Sequence, residues 1–414
     1  MKKLRVGVIG TGAFAETCHV PGLQSHPQAE VVVLCGRENP RTSAMAQRLN
    51  VPEITNDYAQ LCARSDIDAV TIATQNVFHA QQAQAVLTAG KHVFCEKPLG
   101  MTVDESAAML HAAENTRKIH QVAFTYRYLY GVQELKRRLL NGDIGAPHYI
   151  RLQFDSWEGL HPDSTVGFRE KMSLAGGGML YDVGTHLFDL THYILGPIQA
   201  VTGFTALIPR ERIDKRSGKL TTVETDDMAG AWFVCSNGVR GEWFASRATP
   251  CSGEKAYVEV VGRDGALKAA LSRGTRDSLK ISRPTRQAWE TLPLPKQASD
   301  GKAHCLPIMM RSFVDACLRG KSDETIDASF YDGVAVQHVI GAVQEASCHQ
   351  DWNSVKVDAA RRECSEMYVG YSPPSLPLLA SDSIPTSSEA AIHQVQRPMV
   401  LVSDGDVGLK QHSD

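Results

Sequence analysis

Three side chains with proton-transfer chemistry stand out in the sequence, one in the first quarter of the chain and two near its middle. Lys97 lies in Glu96-Lys97-Pro98, directly after the strand-like segment 91–95. Nucleotide-binding sheets keep their reactive groups in this position, outside the carboxyl ends of the strands. Asp182 and His186 lie four residues apart in a segment with helical apolar spacing, which places them on one helix face. An imidazole titrates near neutral pH and suits proton transfer.

A dinucleotide-binding fingerprint lies at the N-terminus. Apolar residues 4–9 predict a buried parallel strand, and Gly10-x-Gly12-x-x-Ala15 follows at once. In this pattern the first glycine permits a tight turn, the second lets the backbone approach a pyrophosphate, and the small third residue lets helix pack on strand. The phosphates would lie at the N-terminus of the next helix. We therefore expect cofactor contacts at Gly10, Gly12, Ala13, Phe14 and Ala15.

The end of the second strand, 31–35, is the expected place for the residue that reads the adenosine ribose. A carboxylate there binds the 2′-hydroxyl of NAD, whereas an arginine accommodates the 2′-phosphate of NADP. The chain has Gly36-Arg37 at this point with Arg41 nearby, and Glu38 comes one or two places late. The sequence therefore predicts NADP as the cofactor, with NAD as the alternative, and Arg37 as a solvated turn residue is the competing interpretation.

Strands and helices continue to alternate up to residue 124, which indicates βαβ units and a parallel Rossmann sheet over residues 1–124. A strand at 70–73 precedes Thr74-Gln75-Asn76-Val77-Phe78-His79, and a capping box at Thr102 and Glu105 opens a later helix. We expect further cofactor contacts after these strands, at Thr74, Asn76, His79, Glu96 and Lys97.

The pattern changes in residues 125–369, where strand-like segments succeed one another. Segments 229–234, 241–245 and 257–261 predict strands, and Asn237-Gly238 predicts a hairpin turn. Helical stretches follow at 307–319 and 327–347. We expect a second α/β domain with a large, mostly antiparallel open sheet, covered by helices on one face. The other face would serve substrate or subunit contacts. Residues 370–414 form a Pro/Ser-rich extension.

Composition limits the class of partner. The 414-residue chain is 43% hydrophobic with a formal net charge of -3, and no basic run suggests nucleic acid as a partner. No stretch is apolar enough to span a membrane, and the N-terminal apolar run is too short for a signal peptide. Ten scattered cysteines without a CxxC pair predict reduced thiols in the cytoplasm. The histidines follow no metal-binding motif, so we expect no metal.

Taken together, the motifs resemble those of the Gfo/Idh/MocA oxidoreductase family, over about residues 4–365. The matching marks are Gly10-x-Gly12-x-x-Ala15, Asn76-x-x-His79, Ala89-Gly90-Lys91-His92-Val93, Glu96-Lys97-Pro98 and Gly176-Gly177-Gly178-x-x-x-Asp182-x-Gly184-x-His186-x-x-Asp189. The resemblance implies a Rossmann domain followed by an α/β domain with an open sheet, assembly as a homodimer or homotetramer, and a cis peptide at Lys97-Pro98. Gly36, where many members have aspartate, departs from the pattern and carries the NADP prediction.

Chemistry and resemblance together imply roles for the site residues. His186 would be the general acid/base, and Lys97 as an ammonium would bind the reacting oxygen; Lys97 as the proton-transfer group is the open alternative. Asp182 would bind a neighbouring hydroxyl or orient the reacting groups. Tyr126, Arg127 and Thr185 are candidate substrate contacts. Trp157, His161 and Arg169 precede the glycine run and are candidates to line the pocket, although ordinary loop roles are the simpler interpretation.

The leading interpretation is an NAD(P)-dependent oxidoreductase that transfers hydride between a nicotinamide and a secondary alcohol or ketone of a sugar, sugar derivative or cyclitol. A second is a glycosidase that uses tightly bound nicotinamide for transient oxidation. A third is a dinucleotide-binding sensor without catalysis, although a sensor has no need of Lys97, Asp182 and His186 together.

Overall fold

The computed structural model describes residues 3–250, 255–271, 277–286, 288–295, 305–349 and 353–354. The predicted extension 370–414 lies outside the described residues. The domain boundary near residue 124 stays a prediction, because segments from the second half pack onto the first. Val122, for example, donates its N–H to the carbonyl of Ala328 at 3.0 Å, a typical backbone hydrogen bond.

The N-terminal half contains a six-stranded parallel sheet in the order β3-β2-β1-β4-β5-β6. Its strands are β1 (Leu4–Ile9), β2 (Ala29–Cys35), β3 (Glu53–Thr55), β4 (Ala69–Ile72), β5 (His92–Cys95) and β6 (His120–Val122). This is the strand order of the doubly wound dinucleotide-binding fold. Strands are added on one side of β1 up to β3 and on its other side from β4 onward, so the strand order switches between β1 and β4. A crevice for a ligand therefore lies at the carboxyl ends of these two strands, where the fingerprint was predicted to act.

Five helices connect the strands of this sheet: α1 (Val20–Gln24), α2 (Pro40–Arg48), α3 (Tyr58–Ala63), α4 (His79–Thr88) and α5 (Val103–Thr116). A π-helical turn, Ala15–His19, precedes α1. The predicted capping box opens α5, because the Thr102 hydroxyl accepts the N–H of Glu105 at 3.1 Å. The Glu105 carboxylate reaches one residue further back than expected and accepts the N–H of Met101 at 2.8 Å.

The second half is built on a nine-stranded sheet in the order β16-β15-β14-β13-β7-β12-β11-β8-β17, with β9 and β10 as a separate pair. All pairs are antiparallel except β7 with β12, and the predicted hairpin joins β11 to β12. The strands are β7 (Pro147–Asp155), β8 (Ile198–Ala206), β9 (Glu211–Ile213), β10 (Leu220–Thr222), β11 (Met228–Cys235), β12 (Arg240–Ser246), β13 (Ala256–Gly262), β14 (Gly265–Ala270), β15 (Leu279–Ser282), β16 (Trp289–Leu292) and β17 (Asn353–Ser354).

Helices α6 (Tyr130–Leu140), α8 (Thr185–Leu195) and α10 (Phe330–His349) cover one face of this sheet, with a π-helical turn, Leu180–Gly184, directly before α8. The short helix α7 (Met172–Ala175) precedes that turn, and α9 (Cys305–Arg319) packs against α1 of the N-terminal half. Phe188 of α8 packs edge-on against Trp243 of β12, and both side chains are buried. The opposite face leaves Trp232 61% and Phe204 46% exposed. The expected open sheet is thus present, with an apolar outer face.

No helix in the described part of the chain is long and apolar enough to cross a bilayer.

Candidate active site

The backbone around the fingerprint forms a cradle at the end of β1. Gly10 has a φ of +116°, and a Cβ there would lie 2.3 Å from the carbonyl oxygen of Ala73, so only glycine fits. A Cβ on Gly12 would meet nothing within 4 Å, which means that this glycine faces open space. A glycine that faces open space beside a helix start suits the close approach of a pyrophosphate. These residues therefore fit a dinucleotide.

The turn after β2 is shaped by a small residue and an exposed cation. A Cβ on Gly36 would lie 2.5 Å from Cγ2 of Thr11, so a side chain here requires Thr11 to move. The carbonyl of Arg37 accepts a hydrogen bond from the Thr42 hydroxyl at 2.8 Å, which fixes the turn, while the Arg37 side chain is exposed. An arginine held at this point can reach a ribose substituent.

Three of the predicted cofactor residues bind the protein itself. The Thr74 hydroxyl donates to Oε1 of Gln82 at 2.7 Å, and Nδ2 of Asn76 donates to the carbonyl of Ala175 at 2.8 Å. Nδ1 of the fully buried His79 lies 2.8 Å from the carbonyl oxygen of Pro98. Asn76 and His79 thus connect the segments around the site, and their contact with the cofactor stays a prediction.

Lys97 follows β5, and the peptide bond between Lys97 and Pro98 is cis, as the resemblance implied. Its Nζ lies 2.6 Å from Oδ1 of Asp182 and 2.6 Å from the main-chain oxygen of the same residue. The Lys97 side chain is 10% exposed. The carboxylate of its neighbour Glu96 pairs instead with Nε2 of His19 at 3.1 Å. The structure therefore brings the first and second predicted catalytic residues into direct contact.

Asp182 receives a second cation that the sequence did not assign to the site. Nε of Arg169 lies 3.2 Å from Oδ2 of Asp182, so each carboxylate oxygen faces a different cation. Burial by itself would raise the pKa of Asp182, but Lys97 and Arg169 together hold that pKa well below its usual range, and His186 acts in the same direction. Asp182 is consequently ionised across the physiological pH range.

The helical segment that carries Asp182 is held at its start by a distant carboxylate. Asp226 accepts the N–H of Gly178 at 2.6 Å and the N–H of Leu180 at 2.9 Å, one on each oxygen. A Cβ on Gly178 would lie 1.9 Å from the carbonyl oxygen of Asp226, which explains a glycine at this position. Burial raises the pKa of Asp226, and the two N–H groups oppose that shift. Asp226 therefore acts as the N-cap of the segment.

His186 lies in the first turn of α8 and is 2% exposed. Its ring centroid is 4.7 Å from that of Tyr126 and 6.3 Å from that of Phe124. The π-helical turn before it widens the helix locally, so Asp182 and His186 lie less than one turn apart. Two aromatic rings therefore pack against the imidazole, and His186 acts electrostatically on Asp182.

The structure places two expected substrate contacts in buried positions, and their role in substrate binding stays a prediction. Arg127 is 1% exposed, and its guanidinium binds Asp189 at 2.5–3.1 Å and Asp332 at 3.0 Å. The Thr185 hydroxyl is fully buried and donates to the carbonyl of Tyr181 at 3.0 Å. Tyr126 lies at the site through its contact with the His186 ring, and it stays a candidate for substrate contact.

The sequence offers Arg169 as a pocket candidate only through its place before the glycine run, with a loop role as the simpler interpretation, and it does not indicate Asp226. Asp226 carries no local signal, because its contact with Gly178 spans 48 residues.

Family models of known proteins match both halves of the chain. The family model described as an oxidoreductase family with an NAD-binding Rossmann fold matches residues 4–124, and the GFO/IDH/MocA C-terminal domain matches residues 132–268. The chain belongs to the Gfo/Idh/MocA oxidoreductase family. The predicted fold class is confirmed by this match and by the two sheets.

Relatives within the family include several named dehydrogenases. Levoglucosan dehydrogenase of Pseudarthrobacter phenanthrenivorans is 28% identical over 392 residues, which is 86% of this chain and 99% of the relative. A structure of levoglucosan dehydrogenase in complex with NADH and L-sorbose superposes with a TM-score of 0.79 at 28% identity, covering 86% of this chain and 99% of that chain.

Two further relatives differ in their named cofactor. An NADP⁺-dependent D-xylose 1-dehydrogenase of Haloferax volcanii is 30% identical, covering 64% of this chain and 74% of the relative. An NAD⁺-dependent scyllo-inositol 2-dehydrogenase of Bacillus subtilis is 26% identical, covering 81% of this chain and 96% of the relative. The family therefore does not decide between the two cofactors.

Proposed function

We propose that this oxidoreductase transfers hydride between a nicotinamide cofactor and a secondary alcohol or ketone of a sugar, sugar derivative or cyclitol. The observation that carries the proposal is the contact between Lys97 and Asp182, with His186 four residues further along the same helical segment. The relatives named for levoglucosan, D-xylose and scyllo-inositol support the substrate class.

Three residues of the site have separate roles in proton transfer and in orientation of the substrate. When bound, the nicotinamide supplies the hydride chemistry. His186 accepts the proton of the substrate hydroxyl during oxidation and returns it during reduction. Lys97 donates a hydrogen bond to the same oxygen and stabilises negative charge that develops on it. Asp182 holds the Lys97 ammonium in place and accepts a hydrogen bond from a neighbouring substrate hydroxyl.

Lys97 as the proton-transfer group is the alternative assignment within the same function. Burial lowers the pKa of Lys97, and the positive charge of Arg169 lowers it further, whereas Asp182 raises it. A lysine with a lowered pKa is a better proton acceptor near neutral pH. The two assignments differ in which side chain must be neutral for alcohol oxidation.

We propose NADP as the preferred cofactor. A carboxylate at position 36 would collide with the Thr11 side chain, whereas the exposed Arg37 and the nearby Arg41 offer positive charge at the ribose end of the cradle. Arginine suits a 2′-phosphate because its planar donors match phosphate geometry.

We also propose assembly as a homodimer or homotetramer through the outer face of the nine-stranded sheet. A groove of about 590 Å³ lies on this face, beside Thr202, Phe204, Trp232, Glu242 and Phe244. Trp232 and Phe204 are exposed large apolar side chains, which typically mark a protein contact. The buried free cysteines of the described residues, among them Cys95 and Cys235, support a reducing compartment, the cytoplasm.

A panel of alcohols tests the function directly. The purified protein is mixed with NADP⁺ or NAD⁺ and with levoglucosan, methyl β-D-glucoside, D-xylose or scyllo-inositol, and reduced nicotinamide is followed by absorbance. Reduction with at least one member supports the proposal. Release of free sugar from a glycoside without net cofactor reduction would indicate the glycosidase, and binding of cofactor without either reaction would indicate the sensor.

A further inference from the structure

Arg169 lies in a segment whose backbone is held at this residue and directly after it. Its own carbonyl accepts the Thr225 hydroxyl at 2.8 Å. The next residue, Glu170, pairs with Arg247 at 3.1 Å, and Lys171 pairs with Asp214 at 2.5 Å. A side chain on such an anchored backbone needs little reorganisation to keep one position.

The guanidinium of Arg169 extends from this segment to the catalytic carboxylate. Its Nε lies 3.2 Å from Oδ2 of Asp182, while Oδ1 is 2.6 Å from Nζ of Lys97. The Arg169 side chain is 50% exposed, so it lies at the mouth of the site and not in the core. One carboxylate thus faces two cations, and the cluster formed by these three side chains carries a surplus positive charge.

We propose that Arg169 is a positioning residue of the proton-transfer site, which holds Asp182 between two cations and keeps one positive charge unneutralised beside Lys97 and His186. This inference rests on the proposed function. The charge surplus opposes protonation of the neighbouring bases, and the second contact keeps Asp182 from turning wholly toward Lys97.

Two other titratable groups near Lys97, Glu96 and His79, bind partners of their own. Glu96, on the same strand end, pairs with His19 from the turn after the fingerprint. His79 of α4 binds the carbonyl of Pro98. The titratable and charged groups that surround Lys97 are therefore Asp182, Arg169, Glu96, His19, His79 and His186.

Loss of the Arg169 charge should shift the pKa of either candidate base in the same direction. A nearby positive charge lowers the pKa of Lys97, so its removal raises that pKa, and the same sign applies to any imidazole that the guanidinium charge reaches. The neutral, proton-accepting form of either base then predominates only at higher pH. The prediction holds whether Lys97 or His186 accepts the proton.

The direct test is a pH titration of Lys97 by NMR in protein labelled with ¹³C at lysine Cε, with the Lys97 signal assigned from its loss in Lys97→Met. We expect the titration midpoint of Lys97 to rise by about one pH unit in Arg169→Gln. Arg169→Lys keeps the positive charge and should stay near the wild-type midpoint. The matched control is Lys215→Gln, which removes an exposed cation near this segment and keeps the main-chain hydrogen bond from residue 215 to Val166.

A midpoint that is unchanged in Arg169→Gln, or that moves as much in Lys215→Gln, would overturn the proposal. The same variants are then compared in the pH profile of kcat/KM with the alcohol that reacts fastest in the panel. The acidic limb should move to higher pH by about one unit in Arg169→Gln alone. If the wild-type protein oxidises no alcohol, the proposed function fails, while the NMR titration still decides the effect of Arg169 on Lys97.

Discussion

Lys97 contacts Asp182 twice, because its Nζ lies 2.6 Å from both the carboxylate Oδ1 and the main-chain oxygen of that residue. The second contact fixes the lysine to the backbone of the π-helical turn, and not only to a movable side chain. Residues 85 positions apart in the chain are thereby joined at the strand end and the helix start that the fold brings together. The proton-transfer site depends on this junction.

Removal of either candidate proton-transfer group should lower turnover. Lys97→Ala and His186→Ala should each reduce kcat by about a hundredfold or more, because general acid–base catalysis typically contributes this much. Steady-state kinetics on the best alcohol of the panel measures it. His192→Gln is the control, since it replaces another, partly buried histidine of the same helix. Near-normal kcat in one of the two alanine variants would remove that residue from the mechanism.

Arg127 should matter for stability and not for substrate binding. Arg127→Met leaves Asp189 and Asp332 buried without their cation, and breaking such a pair typically lowers the free energy of unfolding by about 3–5 kcal/mol. Urea denaturation measures the loss. The KM of the folded variant should match that of the wild type. A raised KM at unchanged stability would restore Arg127 as a substrate contact.

His120 should make the protein sensitive to acid. Burial lowers its pKa from 6.5 to about 4, although Asp332 and Glu114 oppose the shift. The folded state thus favours the neutral imidazole, so this contribution to stability is fully present above pH 6.5 and is lost as the pH falls through 4. The loss amounts to roughly 3 kcal/mol.

Urea denaturation between pH 7 and pH 4 checks this expectation. The free energy of unfolding should fall less steeply in His120→Gln than in the wild type, while His161→Gln, which changes an exposed histidine, should keep the wild-type slope. Parallel curves for His120→Gln and the wild type would show that this imidazole does not determine the acid sensitivity.

Cofactor preference should depend on Arg37. Arg37→Gln should lower kcat/KM for NADP about ten- to hundredfold and leave NAD little changed, because one charge-assisted hydrogen bond to a 2′-phosphate is lost. Arg48→Gln is the control, since Arg48 is an exposed arginine that pairs with Glu16 near the same turn. A wild-type preference for NAD would refute the NADP proposal.

The outer sheet face should govern assembly. Trp232→Glu places a charge at the centre of the apolar surface and should shift the mass measured by light scattering toward the monomer. Leu140→Glu introduces the same charge at an exposed leucine on α6 and should leave the mass unchanged. A wild-type protein that is already monomeric would contradict the assembly proposal.

The sequence by itself determined the elements and the motif residues. The fingerprint predicted the first strand and the cradle at Gly10 and Gly12, and the apolar spacing predicted the helix that carries His186. Asn237-Gly238 predicted the turn between β11 and β12. These features depend on residues that are close in the chain, where backbone preference and side-chain periodicity act directly.

Only the tertiary structure decided which polar groups face the site. Arg127 and Thr185 stand beside site residues in the sequence, yet both side chains are buried, where they bind Asp189 and the carbonyl of Tyr181. Arg169 enters the site because its anchored segment reaches Asp182. Such pairings join separate elements, and their choice depends on packing and desolvation in three dimensions, which local spacing does not encode.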